Sequence, residues 1–439
     1  MLPHLCAILT NVVLVALAAL DVALFAYYVW ATFIGQPYWD MFSIVQRYLQ
    51  YRADGNVWSY LWEPHVQHRM VWMRLLTGLD ASLLAGRGYP FAIFAVACQG
   101  LTAWLLARAV RRCIPGSPGV WLSWVTVMLV LTAVAAVDCA LPINGIYPQA
   151  LMFSVLALVL ADGGSGDGTP WRVYAPRAGA LLAAMAAAFG NAAALALWPI
   201  LLWVWWRSQA GRWWLGVTTL VGAAFVGAYA QGLPGAPQVG PVSGLALVAR
   251  AGAYLVSYLG LPLTRAGSVA VIGQVVGVAL LVAGAAVLTV RGLVFPAAGR
   301  NERFAVSLIA FSMATAVLAA VGRVDVDVDV RVPVRYAVFM APMHIGLLML
   351  LWPRIAARGD RHRRGLQGVA VAMALVLLAQ QVVAGQAAVA TTAAIRQTLA
   401  RFSAGEVTPD MTTVVYVDLA QARRDQNAIH AAGLYLRAR

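Results

Sequence analysis

The side chains best suited to chemistry begin in one polar segment, residues 35–89, that follows the first apolar run of the chain. Asp40, directly after Trp39, would lie close to the lipid headgroups at the end of a membrane helix. A carboxylate in that position suits a general base that acts on a hydroxyl acceptor. An N-cap for a helix beginning at Met41 fits the same residue, and both roles can hold together.

A second group lies later in this segment and consists of Glu63, His65, His68 and Arg69. Arginine binds phosphate through a planar fork, and histidine can donate to the same oxygens. The group therefore predicts binding of a pyrophosphate or phosphodiester. Two alternatives stay open: Glu63 with the two histidines could hold a divalent cation, although no HExxH pattern is present, or the tryptophan-rich stretch could be an interfacial anchor.

A second polar segment, residues 322–336, carries three aspartates that alternate with valine: Asp325, Asp327 and Asp329. On an extended strand they would share one side and could bind a divalent cation. A solvated edge, or salt bridges to the arginines of the segment, explains the same pattern. Arg323 begins the segment, and Arg335 with Tyr336 opens the next apolar run. We expect Arg335 to point into a cavity and contact phosphate.

Two carboxylates lie within apolar runs. Asp21 is near the middle of the first run, where it is either a structural hydrogen-bonding group or part of an ion path. Asp138 lies at the end of its run, and Asn144 and Gln149 follow it. We expect these three residues and Trp39 to line the same cavity as Asp40.

The elements that must position these residues are membrane helices. Of the 439 residues in the chain, 62% are hydrophobic and 11% are charged, and the mean hydropathy is +0.76. This composition excludes a soluble globular protein. The apolar runs are too long for the alternating strands of a barrel. We predict an all-α polytopic fold with about eleven hydrophobic passes: 12–34, 90–109, 119–140, 143–161, 178–189, 192–206, 213–230, 268–290, 304–321, 336–352 and 366–385.

Arginine alone supplies the positive charge, because the chain contains no lysine. The arginines gather between apolar runs, at 111–112, 172–177, 207–212, 291–303 and 354–364. By the positive-inside rule these five loops are cytoplasmic, so the net charge of +14 indicates topology and not a nucleic-acid surface.

This assignment places both ends of residues 178–206 on the same side of the membrane. One helix of 29 residues would be roughly 43 Å long, whereas two arms of about 13 residues would each be near 20 Å. We therefore predict a short hairpin that turns at Gly190–Asn191. One long tilted helix is the alternative, and it would place the later arginine loops outside.

The remaining segments then face the extracytoplasmic side, including residues 35–89, 231–267 and 322–335. We divide the chain into a transmembrane domain, 1–386, and a small extracytoplasmic appendage, 387–439. The pattern of this tail predicts a helix, a strand over Thr412 to Val417 and a second helix, which makes it a small α/β unit.

The order of these landmarks resembles the GT-C superfamily of integral-membrane glycosyltransferases, and more narrowly a group of bacterial multi-pass proteins. The motifs are Trp39-Asp40, Trp62 to Arg69, an Asn-Gly pair at Asn144, Gly190 to Pro199 and Gly322 to Tyr336, and they cover most of residues 10–350. The resemblance implies that Asp40 is the acid of the first loop and that Arg69 and Arg335 contact phosphate. One departure is that an acidic residue expected just before His68 is missing, and Glu63 would have to replace it.

The resemblance also implies transfer of a sugar from a polyprenyl-phosphate donor to a cell-envelope glycan or lipid acceptor, at the outer face of the bacterial inner membrane. Catalysis would then depend on Asp40. The resemblance implies no particular cofactor, and a divalent cation stays open. Two other functions stay open. One is transport of a lipid-linked saccharide along a path marked by Asp21 and Asp138, and the other is a non-catalytic envelope assembly factor.

Overall fold

The computed structural model describes residues 2–161, 163, 170–234, 244–261, 263, 270–294, 299–323 and 332–436. Within these ranges the chain is helical and has no β-strand, as the sequence predicted for the membrane domain. The α-helices are α1 (Leu2–Thr32), α2 (Met41–Asp54), α3 (Val57–Trp62), α4 (Val71–Leu83), α5 (Tyr89–Cys113), α6 (Ser117–Val130), α7 (Ala133–Ala140), α8 (Ile146–Ala161), α9 (Pro170–Ala188), α10 (Leu197–Arg207), α11 (Arg212–Ala230), α12 (Gly244–Leu259), α13 (Ala270–Val287), α14 (Arg300–Arg323), α15 (Ala341–Ala356), α16 (Asp360–Ser403) and α17 (Leu419–Ala431).

Eight helical segments of the described residues are long and apolar enough to cross a membrane, or nine if α6 and α7 form one bent span. An all-α polytopic protein is therefore confirmed. The lower count arises because several predicted passes are shorter or broken. Residues 192–206 belong to an apolar helix of Ala192–Arg207, which is below the length of a full span.

The predicted pass 119–140 is broken at Leu131, and α6 and α7 meet there at 48°. A break frees main-chain carbonyl groups that lipid cannot satisfy, so other helices must supply donors. Gln99 of α5 donates to the carbonyl of Val130 at 2.6 Å, and Gln381 of α16 donates to that of Leu131 at 3.1 Å. These two buried glutamines explain how the bend is stabilised.

Residues 178–206 form the predicted hairpin. Helix α9 ends at Ala188, and α10 follows a 3₁₀ turn of Ala192–Ala196 that the Asn191 side chain caps by accepting from Ala193 N at 2.9 Å. The far ends of the two arms lie together, because Arg177 donates to the carbonyl of Ala210 at 3.1 Å. A single long helix would have placed these two residues at opposite ends.

The arginine-bearing loops gather at one end of the helical body, which we call the arginine end. Glu302 lies 3.4 Å from Arg291 and 3.0 Å from Arg354, so the loops before α14 and after α15 meet. Trp203 of α10 donates to the carbonyl of Gly292 at 3.1 Å, which adds the hairpin to this group. Arg112 lines a cleft together with Arg300, and Arg177 contacts Ala210, so the described parts of all five loops predicted to be cytoplasmic share one side of the helical body.

The predicted strand of the tail is wrong. Pro409–Thr413 form a 3₁₀ turn, and both Val414 N and Val415 N donate to the carbonyl of Met411, at 3.1 and 2.7 Å. Met411 and Val415 are four residues apart and fully buried, which is the spacing of a helical turn. No other extended segment among the described residues lies beside this stretch to form a sheet.

Two further differences concern helix lengths. Helix α16 has 44 residues and continues across the boundary predicted at 386/387. The segment 231–267, predicted as an outer loop, contains α12. The sequence did not indicate this helix, because the helix has only 16 residues and carries Arg250. A Cβ at Gly277 of α13 would overlap the carbonyl oxygen of Val256, so α12 packs closely on α13.

Candidate functional site

Asp40 lies at the start of α2, in a turn that the C-terminal tail holds in place. The preceding residue, Trp39, has a φ of 51°, a left-handed conformation that is rare for bulky side chains. Its main-chain nitrogen donates to the carbonyl of Val415 at 2.8 Å. The Asp40 side chain makes no capping hydrogen bond, so the predicted capping role is not seen and the carboxylate is left for other partners.

The partner of Asp40 is His65. One carboxylate oxygen lies 3.2 Å from His65 Nε2, and the Asp40 side chain remains 38% exposed whereas that of His65 is 19% exposed. The separation is within reach of proton transfer, but His65 Nε2 makes no hydrogen bond with a described residue, so the two groups must realign before a proton passes between them. An exposed carboxylate with a half-buried imidazole behind it is an arrangement that can accept a proton from a substrate hydroxyl.

His65 and His68 are held together by a tight main-chain turn. Each residue's nitrogen donates to the other's carbonyl, at 2.8 and 2.9 Å, and Val66 at the tip has a φ of 52°. Nδ1 of His68 accepts a hydrogen bond from Ala192 N at 3.2 Å. The turn therefore joins the first polar segment to the tip of the α9–α10 hairpin.

His68 is neutral at pH 7. Burial lowers the pKa of its imidazole, and together with the nearby charges of Arg323, His65 and Arg335 it brings that pKa to about 4. Because Nδ1 is an acceptor, the single proton of the neutral ring belongs on Nε2. That nitrogen makes no hydrogen bond to a residue that the structure describes, so it can donate to a ligand.

Arg69 is engaged by the protein itself. Its Nε donates to the carbonyl of Tyr229 at 3.0 Å, and its two other nitrogens donate to the carbonyls of Trp62 and Gln231. The guanidinium also stacks on the Trp62 ring, 4.8 Å from its centroid, and the residue is only 3% exposed. These contacts give Arg69 a structural role, and phosphate binding by it stays an untested prediction.

Glu63 lies between two arginines and not beside Asp40. Its carboxylate is 3.6 Å from Arg47 and 3.8 Å from Arg74. Arg74 is buried, which lowers the pKa of its guanidinium, and it also stacks on the Tyr60 ring and donates to the Tyr60 carbonyl. This network ties α2, α3 and α4 into one unit that holds the His65–His68 turn.

Arg335 lies in a second part of the site, at the start of the segment that continues into α15. Its Nε donates to the Tyr147 hydroxyl at 2.9 Å, and its guanidinium lies 5.9 Å from the centroids of the Tyr147 and Tyr336 rings. Its two terminal nitrogens have no hydrogen-bond partner among the described residues. Arg335 can therefore bind an anion without losing an existing contact.

Asp138 and Asn144 lie on the other side of Arg335. The Asn144 amide donates to one Asp138 oxygen at 3.1 Å, and the second oxygen has no hydrogen-bond partner within the described part of the chain. Asp138 is 1% exposed and close enough to Arg335 to interact with it electrostatically. The negative charge of Asp138 therefore offsets part of the positive charge of Arg335.

Tyr38 connects the two parts. Burial raises the pKa of its hydroxyl, while the Arg335 charge opposes this shift and Asp138 and Asp40 add to it. All three charged groups are therefore near enough to this hydroxyl to act on it electrostatically. We call Tyr38, Asp40, His65, Asp138 and Arg335 the polar site; it lies at the end of the helical body opposite the arginine end.

Other predicted residues lie at the margins of the polar site or outside the described residues. Arg323 is close enough to His68 to affect its charge, and Tyr336 stacks on Tyr258. Gln149 packs on Gly190 and donates to the carbonyl of Ala186 at 2.9 Å, so it supports the hairpin tip.

Asp325, Asp327 and Asp329 lie outside the described residues. Within the described ranges, no three His, Cys, Asp or Glu side chains group as a metal site would require.

Sequence reasoning missed the contribution of the tail. Val415 supports Trp39, and Tyr416 is close enough to Asp40 for that carboxylate to raise the pKa of the Tyr416 hydroxyl, after the larger effect of burial. No motif in the tail indicates this contact. Tyr38 carried a weak signal, because it directly precedes Trp39-Asp40.

The comparisons with known proteins leave the family open: no protein-family model, curated protein or solved structure matches the chain.

Proposed function

We propose that this protein is a membrane glycosyltransferase that moves a sugar from a polyprenyl-phosphate donor to a cell-envelope glycan or lipid acceptor. The observation that carries the proposal is the 3.2 Å contact between Asp40 and His65 in a site that also contains the unoccupied nitrogens of Arg335. A base beside an anion-binding group is what transfer from a phosphate-linked donor to a hydroxyl requires.

In the proposed reaction the acceptor hydroxyl oxygen attacks the anomeric carbon of the donor sugar. The bond between that carbon and the phosphate oxygen breaks, and its electron pair leaves with the polyprenyl phosphate. Asp40 takes the hydroxyl proton, and His65 steadies the carboxylate and shares that proton. Every atom of the two substrates is accounted for, and no redox partner is needed.

The leaving phosphate gains negative charge, and the groups near it would stabilise that charge. Arg335 offers two terminal nitrogens, His68 offers Nε2–H, and Arg323 adds a further positive charge nearby. Preorganised donors of this kind act where charge develops in the transition state. Arg69 and Glu63 support the site by holding the turn and the short helices in place.

The distribution of arginine supports an extracytoplasmic polar site. The arginine-bearing loops share the opposite end of the helical body, and the positive-inside rule assigns such loops to the cytoplasm. A lipid-linked donor would then present its sugar phosphate at the outer face of a bacterial inner membrane.

The test is release of polyprenyl phosphate from a panel of polyprenyl-phosphate sugars by the purified full chain in nanodiscs. Asp40→Asn should lower turnover by about 10² to 10⁴, the range that a general base supplies. Asp54→Asn is the matched control, because Asp54 is an exposed carboxylate at the other end of α2. No turnover of any donor by the wild type contradicts the proposed function, whereas turnover unaffected by Asp40→Asn assigns the base to another residue.

Transport of a lipid-linked saccharide is the second candidate, and Asp21 favours it. This carboxylate is 1% exposed in α1, and one of its oxygens has no hydrogen-bond partner among the described residues. Buried carboxylates inside membrane helices often mark an ion path. Loss of saccharide flipping in Asp21→Asn vesicles, with no release of polyprenyl phosphate by the wild type, would favour transport.

A further inference from the structure

A cleft of about 200 Å³ lies at the arginine end, between α5, α8 and α14. Arg112 of α5 and Arg300 of α14 line it, together with the amide side chain of Asn301. Its remaining wall includes Ala109, Val159 and Phe304, which are apolar and belong to membrane-spanning helices. The cleft thus joins two positive charges to an apolar surface.

The two arginines have no carboxylate partner among the described residues, and both are exposed. Glu302, the acidic residue in the first turn of α14, is engaged by Arg291 and Arg354 at 3.4 and 3.0 Å. The cleft therefore carries a net positive charge that an anion from outside the protein can balance.

The start of α14 adds to this field. The first main-chain N–H groups of a helix have no partner within the helix and carry partial positive charge, so anions bind there readily. Arg300 and Asn301 are the first two residues of this helix of 24 residues. A phosphate group near them would receive the guanidinium and main-chain donors together.

The apolar wall decides which phosphate compound fits. A free phosphate ion leaves Ala109, Val159 and Phe304 uncovered, whereas a lipid packs its first acyl methylene groups against them. Basic clefts between membrane helices on the cytoplasmic side bind anionic headgroups for this reason. The ligand class that matches both halves of the cleft is an anionic phospholipid.

We infer that the cleft between α5, α8 and α14 binds an anionic phospholipid, with its phosphate against Arg112 and Arg300. The lipid's acyl chain lies along Ala109, Val159 and Phe304. This site is separate from the polar site and does not depend on the proposed glycosyltransferase activity. Its occupation ties the ends of α5 and α14 together and stabilises the folded chain by mass action.

The test is native mass spectrometry of the purified full chain with dioleoyl-phosphatidylglycerol or dioleoyl-phosphatidylcholine added. The wild type should bind one phosphatidylglycerol about 30-fold more tightly than phosphatidylcholine, given the usual contribution of two basic residues near a membrane surface. Arg112→Gln with Arg300→Gln should remove this preference. Arg212→Gln with Arg358→Gln is the matched control, because it removes the same charge from exposed positions and should keep the preference within about twofold.

Val159→Phe provides a second variant that narrows the cleft without changing its charge, and it should also reduce phosphatidylglycerol binding. Equal binding of both lipids by the wild type overturns the inference. So does a loss in the control variant as large as in the cleft variant, which would mean that only the total charge matters. Displacement of the lipid by millimolar inorganic phosphate, or by polyprenyl phosphate at far lower concentration, would likewise overturn it.

Discussion

Nδ1 of His68 accepts a hydrogen bond from the main-chain nitrogen of Ala192, at 3.2 Å, and so joins the first polar segment to the tip of the α9–α10 hairpin. The bond requires a neutral imidazole, because a protonated ring has no free acceptor. One contact therefore fixes the position of the hairpin, the tautomer of His68 and the donor that this residue can offer to a ligand.

The first prediction concerns pH. Folding lowers the pKa of His68 from 6.5 to about 4, so the folded state binds its proton less readily than the unfolded state. His68 then contributes its full stabilisation above about pH 6.5, and that contribution is lost as the pH falls from 6.5 to 4. Melting temperatures of the detergent-solubilised protein across this range should show the fall.

His68→Asn is the comparison for this effect, because its side-chain oxygen can still accept from Ala192 N but does not titrate. Its melting temperature should change less than that of the wild type between pH 6.5 and 4. Parallel curves for the two proteins would show that other groups cause the dependence on pH.

The second prediction treats Asp40 and His65 as a unit. His65→Gln keeps a polar group near the carboxylate but cannot exchange its proton, and turnover should fall about tenfold, with KM unchanged. Asp40→Asn with His65→Gln should be no slower than Asp40→Asn alone, because the imidazole acts through the carboxylate. Multiplied losses in the double variant, measured as kcat in nanodiscs, would show that the two residues act separately.

The third prediction separates Arg69 from Arg335. Arg69→Lys keeps the charge but cannot reach three main-chain carbonyls, and leaving two of them unsatisfied should cost about 2–5 kcal/mol of unfolding free energy. Arg335→Lys loses one contact with Tyr147 and the planar fork, so it should chiefly lower kcat/KM for a phosphate-linked donor and leave stability nearly unchanged.

Thermal unfolding and steady-state kinetics of both lysine variants test this difference. A stable Arg69→Lys with a lowered kcat/KM would return Arg69 to the phosphate-binding role implied by the family resemblance. A strongly destabilised Arg335→Lys would instead make its contact with Tyr147 a structural one.

The hairpin, the grouping of arginine loops and the all-α membrane fold could be predicted because they follow from apolar run length and charge, which are local properties. The roles of Glu63 and Arg69 could not be predicted from the sequence, because they depend on partners such as Arg47 and Tyr229 that only folding brings close. The predicted tail strand was wrong for a related reason: the β-branched and aromatic residues of Thr412 to Val417 form a strand only when another strand is available to pair with them.

The fourth prediction concerns the attachment of the tail. Tyr435 donates to Asp80 at 2.9 Å, and the same carboxylate accepts from Gly88 N at 2.9 Å. Burial raises the pKa of Asp80, and these hydrogen bonds oppose the shift. Tyr435→Phe should cost about 1.5–3 kcal/mol for the lost bond to a carboxylate and make the tail more sensitive to limited proteolysis.

Thr412→Val is the control for this measurement, because it removes an exposed tail hydroxyl whose hydrogen bond, to the carbonyl of Pro409, lies within the tail. If Tyr435→Phe leaves both proteolysis and stability unchanged, the tail is held by its apolar contacts and by the Trp39–Val415 hydrogen bond instead.

The last prediction tests the packing of the longest helix against the first. A Cβ at Gly385 of α16 would overlap the ring of Tyr28 in α1, whereas a Cβ at Gly368, in the same helix, meets no atom within 4 Å. Gly385→Ala should therefore destabilise the protein by about 1–3 kcal/mol through overpacking. Gly368→Ala should be neutral or slightly stabilising, because alanine favours a helix by up to about 1 kcal/mol over glycine. Equal melting temperatures for the two variants would mean that α1 and α16 can separate without cost, and the close contact at Tyr28 would then not contribute to the stability of the fold.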